Sequence, residues 1–593
     1  MNNENPLIVQ GDRSLLLDVH AALAEECRNA LIPFAELEKS PEHLHTYKLT
    51  PLSLWNAASA GFSSDDAVNV LEKFARYDVP QAVIAWIKEV CGRFGKIRLL
   101  PYEQEEEKDT ESEDKLKEQY LCLVAQTGAI YKEIGANTAV RKLLCGVGTA
   151  GPLTPSTSSG TTGTAQKFTY LIKLTDRGTI KQLLLEAGWP VKDEVALSDG
   201  EPLDINLRQT TASGQPLTIR EYQTASAKAL VGDKGPGTGF GTIVLPCGSG
   251  KTIVGMQIMD MLKTSTLIIT TNISAVHQWI DELLDKTNLT RDDIAEYTGE
   301  NKDIKPVTVA TYQVLTWRPD KEGPFPHFSL FHERPWGLII YDEVHMLPAP
   351  VFRVVAELQA VRRVGLTATL VREDGCEGYV FSLVGPKRYD VPWKELERDN
   401  WIASAECIEV RIDLPQSSEI EYAVAGAREK HKIASQNPDK LAVVNQIISK
   451  YQEDKILVIG QYLDQLDQIA KMLEAPIITG KTPTAERDRI YGEFRKGNIR
   501  VLVVSKVANF AIDLPDASLA IQVSGTFGSR QEEAQRLGRI LRPKERTSRF
   551  FTLITRNTVE EEFSSNRQKF LAEQGYSYRI VRYAEIENGG EIL

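Results

Sequence analysis

The chain has 593 residues, enough for three or four domains of about 150 residues each, every one able to bury its own core. Lys+Arg number 69 and Asp+Glu 81, a net charge of −12 that excludes a wholly basic nucleic-acid coat and confines any nucleic-acid path to a local groove. The seven cysteines are scattered, with no CxxC pair and no Cys/His spacing, which predicts reduced thiols and no zinc or iron–sulfur site. The N-terminus has no basic region followed by an apolar run, and no apolar stretch approaches ~18 residues, so a cytoplasmic protein with no membrane partner is expected.

Residues 1–145 read as a mixed α/β domain. PLIVQGDRSLLLDV predicts two strands about a Gly-Asp turn, and Ser63–Leu71 and Val79–Gly92 carry helical spacing. His43 and His45 would point the same way on a strand, but with no third ligand nearby they read as ordinary surface residues. Glu103–Glu118 is an acidic run, read as a solvated loop or, alternatively, a docking surface for a basic partner. Gly146–Lys167, rich in Gly, Ser, Thr and Pro, predicts a flexible linker, after which 168–207 forms a small unit with a strand at Phe168–Leu174 and a helix at Thr179–Trp189.

The next region, 208–398, is organised around GTIVLPCGSGKT, Gly241–Thr252. A short buried strand runs directly into a glycine turn that opens a helix, the form of a phosphate-binding loop. Pro246, Cys247, Gly248, Ser249 and Gly250 curl backbone N–H groups around an anion, Lys251 reaches the β/γ-phosphates, and the Thr252 hydroxyl can ligate Mg²⁺. Leu245 stands where the general pattern has its first glycine. Upstream lie Arg220, Tyr222 and Gln223; the Gln223 amide has the donor and acceptor needed to read an adenine edge. Two further strand-then-helix units, Ser265–Ile280 and Pro306–Thr316, end their strands in polar residues, so Asn272, Ser274, Thr311 and Tyr312 are candidates for contacting a nucleic-acid backbone.

WGLIIYDEVHMLPA places Asp342 and Glu343 at the C-terminal end of an apolar strand, where Asp342 can hold the Mg²⁺ and Glu343 can polarise the attacking water. The region 399–593 repeats the α/β pattern without a phosphate loop, and its last unit offers Gln535, Arg539 and Arg542, two arginines spaced to project from a helix toward one point, as arginine fingers would.

The motifs LPCGSGKT (245–252), DEVH (342–345), GLTATLVRED (365–374), LVGPKRYD (383–390), VSKVANFAIDLP (504–515) and QEEAQRLGRILR (531–542) resemble those of superfamily 2 helicases of the XPB type, a DNA-repair and transcription helicase group. RQKFLAEQGYSYRIV (567–581) looks like that family's C-terminal segment and HTYKLTPLSLWNAASAG (45–61) like its N-terminal domain. The resemblance implies two RecA-like parallel-sheet domains in tandem, with ATP and Mg²⁺ in their cleft and 3′ to 5′ movement on DNA. It also implies a damage-recognition-like module at 168–207 and a thumb-like insertion near 415–440. By the same resemblance Asp513 contacts nucleotide, Thr367 and Thr369 link the ATP site to DNA, and Arg372, Glu373 and Asp374 help part the strands. The competing expectation is a DNA-dependent ATPase that acts as a scaffold or wedge recruiting a nuclease or repair factor; an RNA helicase is a third.

Overall fold

In the computed structural model, which describes residues 4–31, 33–39, 43–102, 120–145, 168–195, 197–232, 238–246, 248–320, 325–347, 351, 361–368, 377–391, 393–399, 401–505, 517–525, 547–573, 576 and 578–583, the expected N-terminal hairpin is formed. Leu7–Val9 pairs with Ser14–Asp18, and the sheet continues antiparallel through Leu44–Lys48 to Glu36–Lys39. Its helices begin where the sequence supplies caps: Thr50 with Ser53, and Ser63 with Asp66, each form a reciprocal capping box. Leu15, Leu17, Phe34, Tyr47, Leu54, Leu71, Phe74 and Ile87 fill one core between this sheet and the helices Pro51–Ser59, Ser64–Phe74 and Gln81–Cys91. The two histidines read as surface residues differ. His43 is exposed and bonded to His20 at 2.8 Å, whereas His45 is half-buried, with Nδ1 cut off from solvent and from any hydrogen-bond partner among the described residues.

A second sheet runs in the order Leu144–Cys145, Thr169–Lys173, Tyr120–Ala125, Ile97–Pro101, Val191–Asp193. This corrects the expected boundary at 146–167. Leu144 pairs with Ile172 and Tyr120 with Lys173, so strands on both sides of the Ser/Thr-rich stretch, and of the acidic run, belong to one sheet. Composition marks where a chain cannot pack, but not whether its flanks meet; because closure entropy grows only slowly with loop length, a long insertion leaves the flanking strands free to pair. Asp193 closes this unit from inside, accepting two bonds from Arg177 (3.0 and 2.9 Å) and one from Lys181 (2.9 Å), all three side chains buried.

The remaining two sheets are parallel, seven strands each, in tandem. The first runs Ile294–Tyr297, Val307–Thr311, Thr266–Thr270, Leu338–Asp342, Arg362–Thr367, Phe240–Val244, Lys387–Asp390. Its central strands are buried on both faces, as a sheet covered by helices on both sides requires. The second runs Ile477–Ile478, Val501–Ser505, Ile456–Gly460, Leu519–Gln522, Ser548–Thr555, Ala405–Ile412, Tyr578–Arg582. Trp393, on the helix Trp393–Arg398 that connects them, is buried in a core contributed by both sheets; an aromatic this size contributes about 3 kcal/mol on burial. The stretch near 415–440 holds two helices, Gln416–Val424 and Ala427–Ser435, the first with none of its residues buried.

The N-terminal domain touches both parallel-sheet domains. Lys387 N donates to Asn56 Oδ1 (3.2 Å) and Arg388 to Ser59 O (3.1 Å), while Ala572, on the helix Val559–Glu573, joins the N-terminal core. Among the described residues, no helix is long and apolar enough to cross a membrane.

Candidate active site

The strand Phe240–Val244 leads through Leu245 and Pro246 to the helix Lys251–Leu262. Between them Gly248 (φ 78°) and Gly250 (φ 83°) take left-handed backbone conformations that β-carbons disfavour. At Gly250 a β-carbon would also lie 2.5 Å from Gln223 Nε2. The loop is held from outside by its own carbonyl: Ser249 O accepts from Tyr222 OH (2.6 Å) and Gln223 Nε2 (2.9 Å). Gln223 Oε1 in turn accepts from Arg220 N (2.9 Å), and its side chain is buried, the residue being 3% exposed. The amide expected to read an adenine edge thus already spends a donor and an acceptor on the protein, leaving one N–H and one lone pair. Arg220 donates to Tyr222 OH (3.0 Å) and to Trp401 O (3.2 Å), with its guanidinium 4.9 Å from the Trp401 ring centroid. A continuous chain of bonds therefore runs from Trp401, in the segment between the two parallel sheets, to the glycine loop.

The carboxylate pair lies across from this loop, at the end of a strand one removed from the loop's own. Lys251 Nζ is 3.2 Å from Glu343 Oε1, which brings the two sequence elements together. Asp342 Oδ2 accepts from Trp279 Nε1 (2.9 Å), Oδ1 accepts from Glu343 N (3.1 Å), and its main-chain oxygen accepts from Tyr312 OH (3.1 Å). Burial, reinforced by the neighbouring Glu343 charge, pushes the Asp342 carboxyl up to about 6. Burial acts on Glu343 as well, but the Lys251 ammonium and then His345 override it and hold Glu343 below its ordinary range. Glu343 also has a left-handed backbone (φ 51°, ψ 54°), a strained conformation of the kind stored at functional sites. Its Oε2 is buried without a hydrogen bond among the described residues, 3.5 Å from His345 Nδ1. Two half-buried carboxylates at one strand end, Asp342 reluctant to ionise and Glu343 held ionised, form a donor set that suits a divalent cation beside phosphates.

The other expected contacts divide. Ser274 is exposed on the rim where the strands end, and Asn272 is half-buried with its Oδ1 capping the helix Ile273–Lys286 through Ala275 N (3.0 Å). Thr311 and Tyr312 do not present their side chains to a backbone ligand: both are buried. Thr311 Oγ1 caps the short helix Tyr312–Thr316 by accepting from Val314 N (3.2 Å), and the Tyr312 hydroxyl is directed to Asp342. The sequence shows polar residues at a strand end but not that helix capping consumes them. Thr367 is buried too, its Oγ1 2.6 Å from His345 Nδ1. Cys247, Thr369, Arg372, Glu373, Asp374, Asp513, Gln535, Arg539 and Arg542 lie outside the described residues. Sequence alone places Tyr222 upstream of the loop without giving it a role and gives none to Trp279, His345 or Trp401; the place of His345 inside DEVH is a signal for it, while Trp279 and Trp401 have no local signal.

A parallel sheet carrying a glycine loop on one strand and an Asp-Glu pair facing its lysine, followed by a second parallel sheet with no such loop among the described residues, defines a two-domain nucleotide-hydrolase motor of the helicase class. Family models agree along the chain: the ERCC3/RAD25/XPB C-terminal helicase model matches residues 396–591, the type III restriction enzyme res-subunit model 216–372, and a helicase conserved C-terminal domain model 7–144. The chain is 47% identical over 588 residues to the DNA 3'-5' helicase XPB of Kineococcus radiotolerans, covering 99% of this chain and 98% of that protein. It is 46% identical to the DNA 3'-5' helicase XPB of Mycobacterium tuberculosis over 98% of both chains. With the Saccharomyces cerevisiae general transcription and DNA repair factor IIH helicase/translocase subunit XPB/SSL2 it shares 30% identity, over 97% of this chain and 72% of the yeast protein. The chain belongs to the XPB family of DNA helicases.

Proposed function

We propose that this chain hydrolyses ATP to move 3′ to 5′ along DNA and open the duplex, acting in DNA repair, with a nuclease or repair factor as the class of protein partner. The observation that carries this reading is the Lys251–Glu343 pair, which joins the glycine loop to the strand bearing Asp342. Lys251, already lodged against a carboxylate, is placed to exchange that anion for phosphate oxygens, with the N–H groups that open the helix Lys251–Leu262 beside it. Thr252 and Asp342 would hold Mg²⁺. When bound there, ATP with Mg²⁺ would supply the transferable phosphoryl group and the positive charge that offsets it. Glu343, kept ionised by Lys251 and His345, orients a water molecule and accepts its proton. Asp513, Gln535, Arg539 and Arg542 complete the site from the second domain. Asn272, Ser274, Thr367 and Thr369 belong to the track that couples it to DNA, and Arg372, Glu373 and Asp374 to the point where strands part. Support for the coupling is the His345–Thr367 bond, which ties the carboxylate strand to the next one.

The test compares wild type with Lys251→Ala and Glu343→Gln. Lys251→Ala is expected to abolish DNA-stimulated ATPase with an unchanged circular dichroism spectrum. Glu343→Gln is expected to bind ATP and leave it unhydrolysed. Wild type is expected to separate duplexes with a 3′ tail and not those with a 5′ tail. ATPase at the wild-type rate in either variant would overturn the site, and ATP hydrolysis without any strand separation would leave the scaffold ATPase in its place.

A further inference from the structure

The C-terminal rim of the first parallel sheet does not stop at Thr271–Ser274. The Gln313 side-chain amide donates to Thr271 O and ties that turn to the next one, after Val307–Thr311. One helical turn further on, Trp317 ends the short helix Tyr312–Thr316, and it is 53% exposed. Its indole lies 5.8 Å from the ring of His327, centroid to centroid, and the Nδ1 of His327 is 2.9 Å from the hydroxyl of Tyr297. Tyr297 is the last residue of the edge strand Ile294–Tyr297 and pairs in register with Ala310, immediately before Thr311, so this aromatic group stands at the same level of the sheet as the rim turns.

Two cations are laid on the neighbouring rings. Lys302 Nζ sits 5.1 Å from the Tyr297 ring centroid and the Arg318 guanidinium 4.9 Å from that of Phe325, which itself stacks on Phe328 at 4.7 Å. Lys302 and Arg318 are both exposed. Core packing accounts for Tyr297, Phe328 and Phe331, which join the buried cluster beneath, but it does not account for Trp317, whose indole is held from one side and half open on the other.

An exposed flat ring, braced by another ring and flanked by cations in a chain of net charge −12, matches what an unpaired base and its phosphates require. A folded protein partner would instead call for a wider apolar surface than a single indole. We propose that Trp317 is a base-stacking platform for single-stranded DNA that extends the track beyond Ser274, with Arg318 and Lys302 taking the adjoining phosphates. This rests on the DNA-translocase reading above.

The experiment measures binding of a dT20 oligonucleotide to the full chain by anisotropy over a range of salt concentrations, with DNA-independent ATPase as a control for folding. Trp317→Ala is expected to weaken binding about ten-fold at every salt concentration, leaving the slope of log K against log[salt] unchanged, because stacking releases no counterions. Trp317→Phe is expected to recover most of the affinity. Arg318→Ala is expected to lower the slope by about 0.7, one single-strand phosphate contact. Wild-type affinity in Trp317→Ala, with wild type itself binding, overturns the platform and leaves the translocase reading standing. Failure of wild type to bind dT20 overturns both.

Discussion

A charge partly withdrawn from water is tolerable only when something nearby answers it, and two half-buried titratable side chains here differ in that respect. Glu343 stays ionised because an ammonium lies 3.2 Å away. His45 has no such help: burial, with Arg28 adding to it, lowers its pKa from 6.5 to about 4. The folded state thus holds His45 neutral, while the unfolded chain takes up a proton below pH 6.5. The unfolded state binds more protons across that window, so His45 is expected to leave the stability of the N-terminal domain unaffected above pH 6.5 and to reduce it progressively as pH falls toward 4. Urea unfolding at pH 7 and pH 5 checks this. His45→Gln should reduce the difference, and an equal difference in the variant would show that another group is responsible.

At the scale of elements, the glycine loop is positioned less by its own sequence than by the helix Glu221–Val231 packed beside it. Tyr222 and Gln223 both donate to Ser249 O, a buried acceptor that either could satisfy alone. Tyr222→Phe and Gln223→Ala are therefore each expected to cost about 1 kcal/mol of stability. The double variant should cost more than their sum, since only then is the buried carbonyl left without a donor. Denaturant midpoints for the four proteins of this cycle measure the coupling, and strict additivity would mean that the two bonds do not share a role. The same logic explains why Thr311 and Asn272, polar residues at strand ends, are used in part for capping: a helix start leaves N–H groups that the nearest side-chain oxygen satisfies.

Across the whole molecule, the second parallel sheet carries no phosphate loop among its described residues, and the function proposed above gives Arg539 and Arg542 the task of reaching the first. Arg539→Ala and Arg542→Ala are each expected to lower turnover by ~10³-fold or more with little change in ATP affinity, the behaviour of arginine fingers. Single-turnover hydrolysis beside nucleotide binding separates the two effects, and a variant that loses affinity in proportion to rate would be a binding residue instead. The N-terminal domain contacts both motor domains. It hydrogen-bonds to the strand Lys387–Asp390 of one motor domain and packs on the helix Val559–Glu573 of the other, so relative movement of the two must rearrange one of these contacts.

The amino-acid sequence by itself determined whatever depends on residues close together in the chain. The strand and helix start flanking the glycine turn at Gly241–Thr252, the apolar strand ending in Asp342-Glu343, the hairpin at Leu7–Asp18 and the strand–helix units within Ser265–Ile280 and Lys455–Leu473 follow from periodicity and local backbone preference, and the described residues hold each of them. Only the tertiary structure decided which distant segments meet. It paired Leu144 with Ile172 across a stretch read as a linker and brought Trp279 to Asp342. It also set Trp401 against Arg220, and it turned Thr311 and Tyr312 inward while leaving Trp317 outside. The physical reason is that hydrogen-bond partners and burial are properties of the packed arrangement. A side chain's type limits what it can bind, but its neighbours across the fold determine what remains for it to bind.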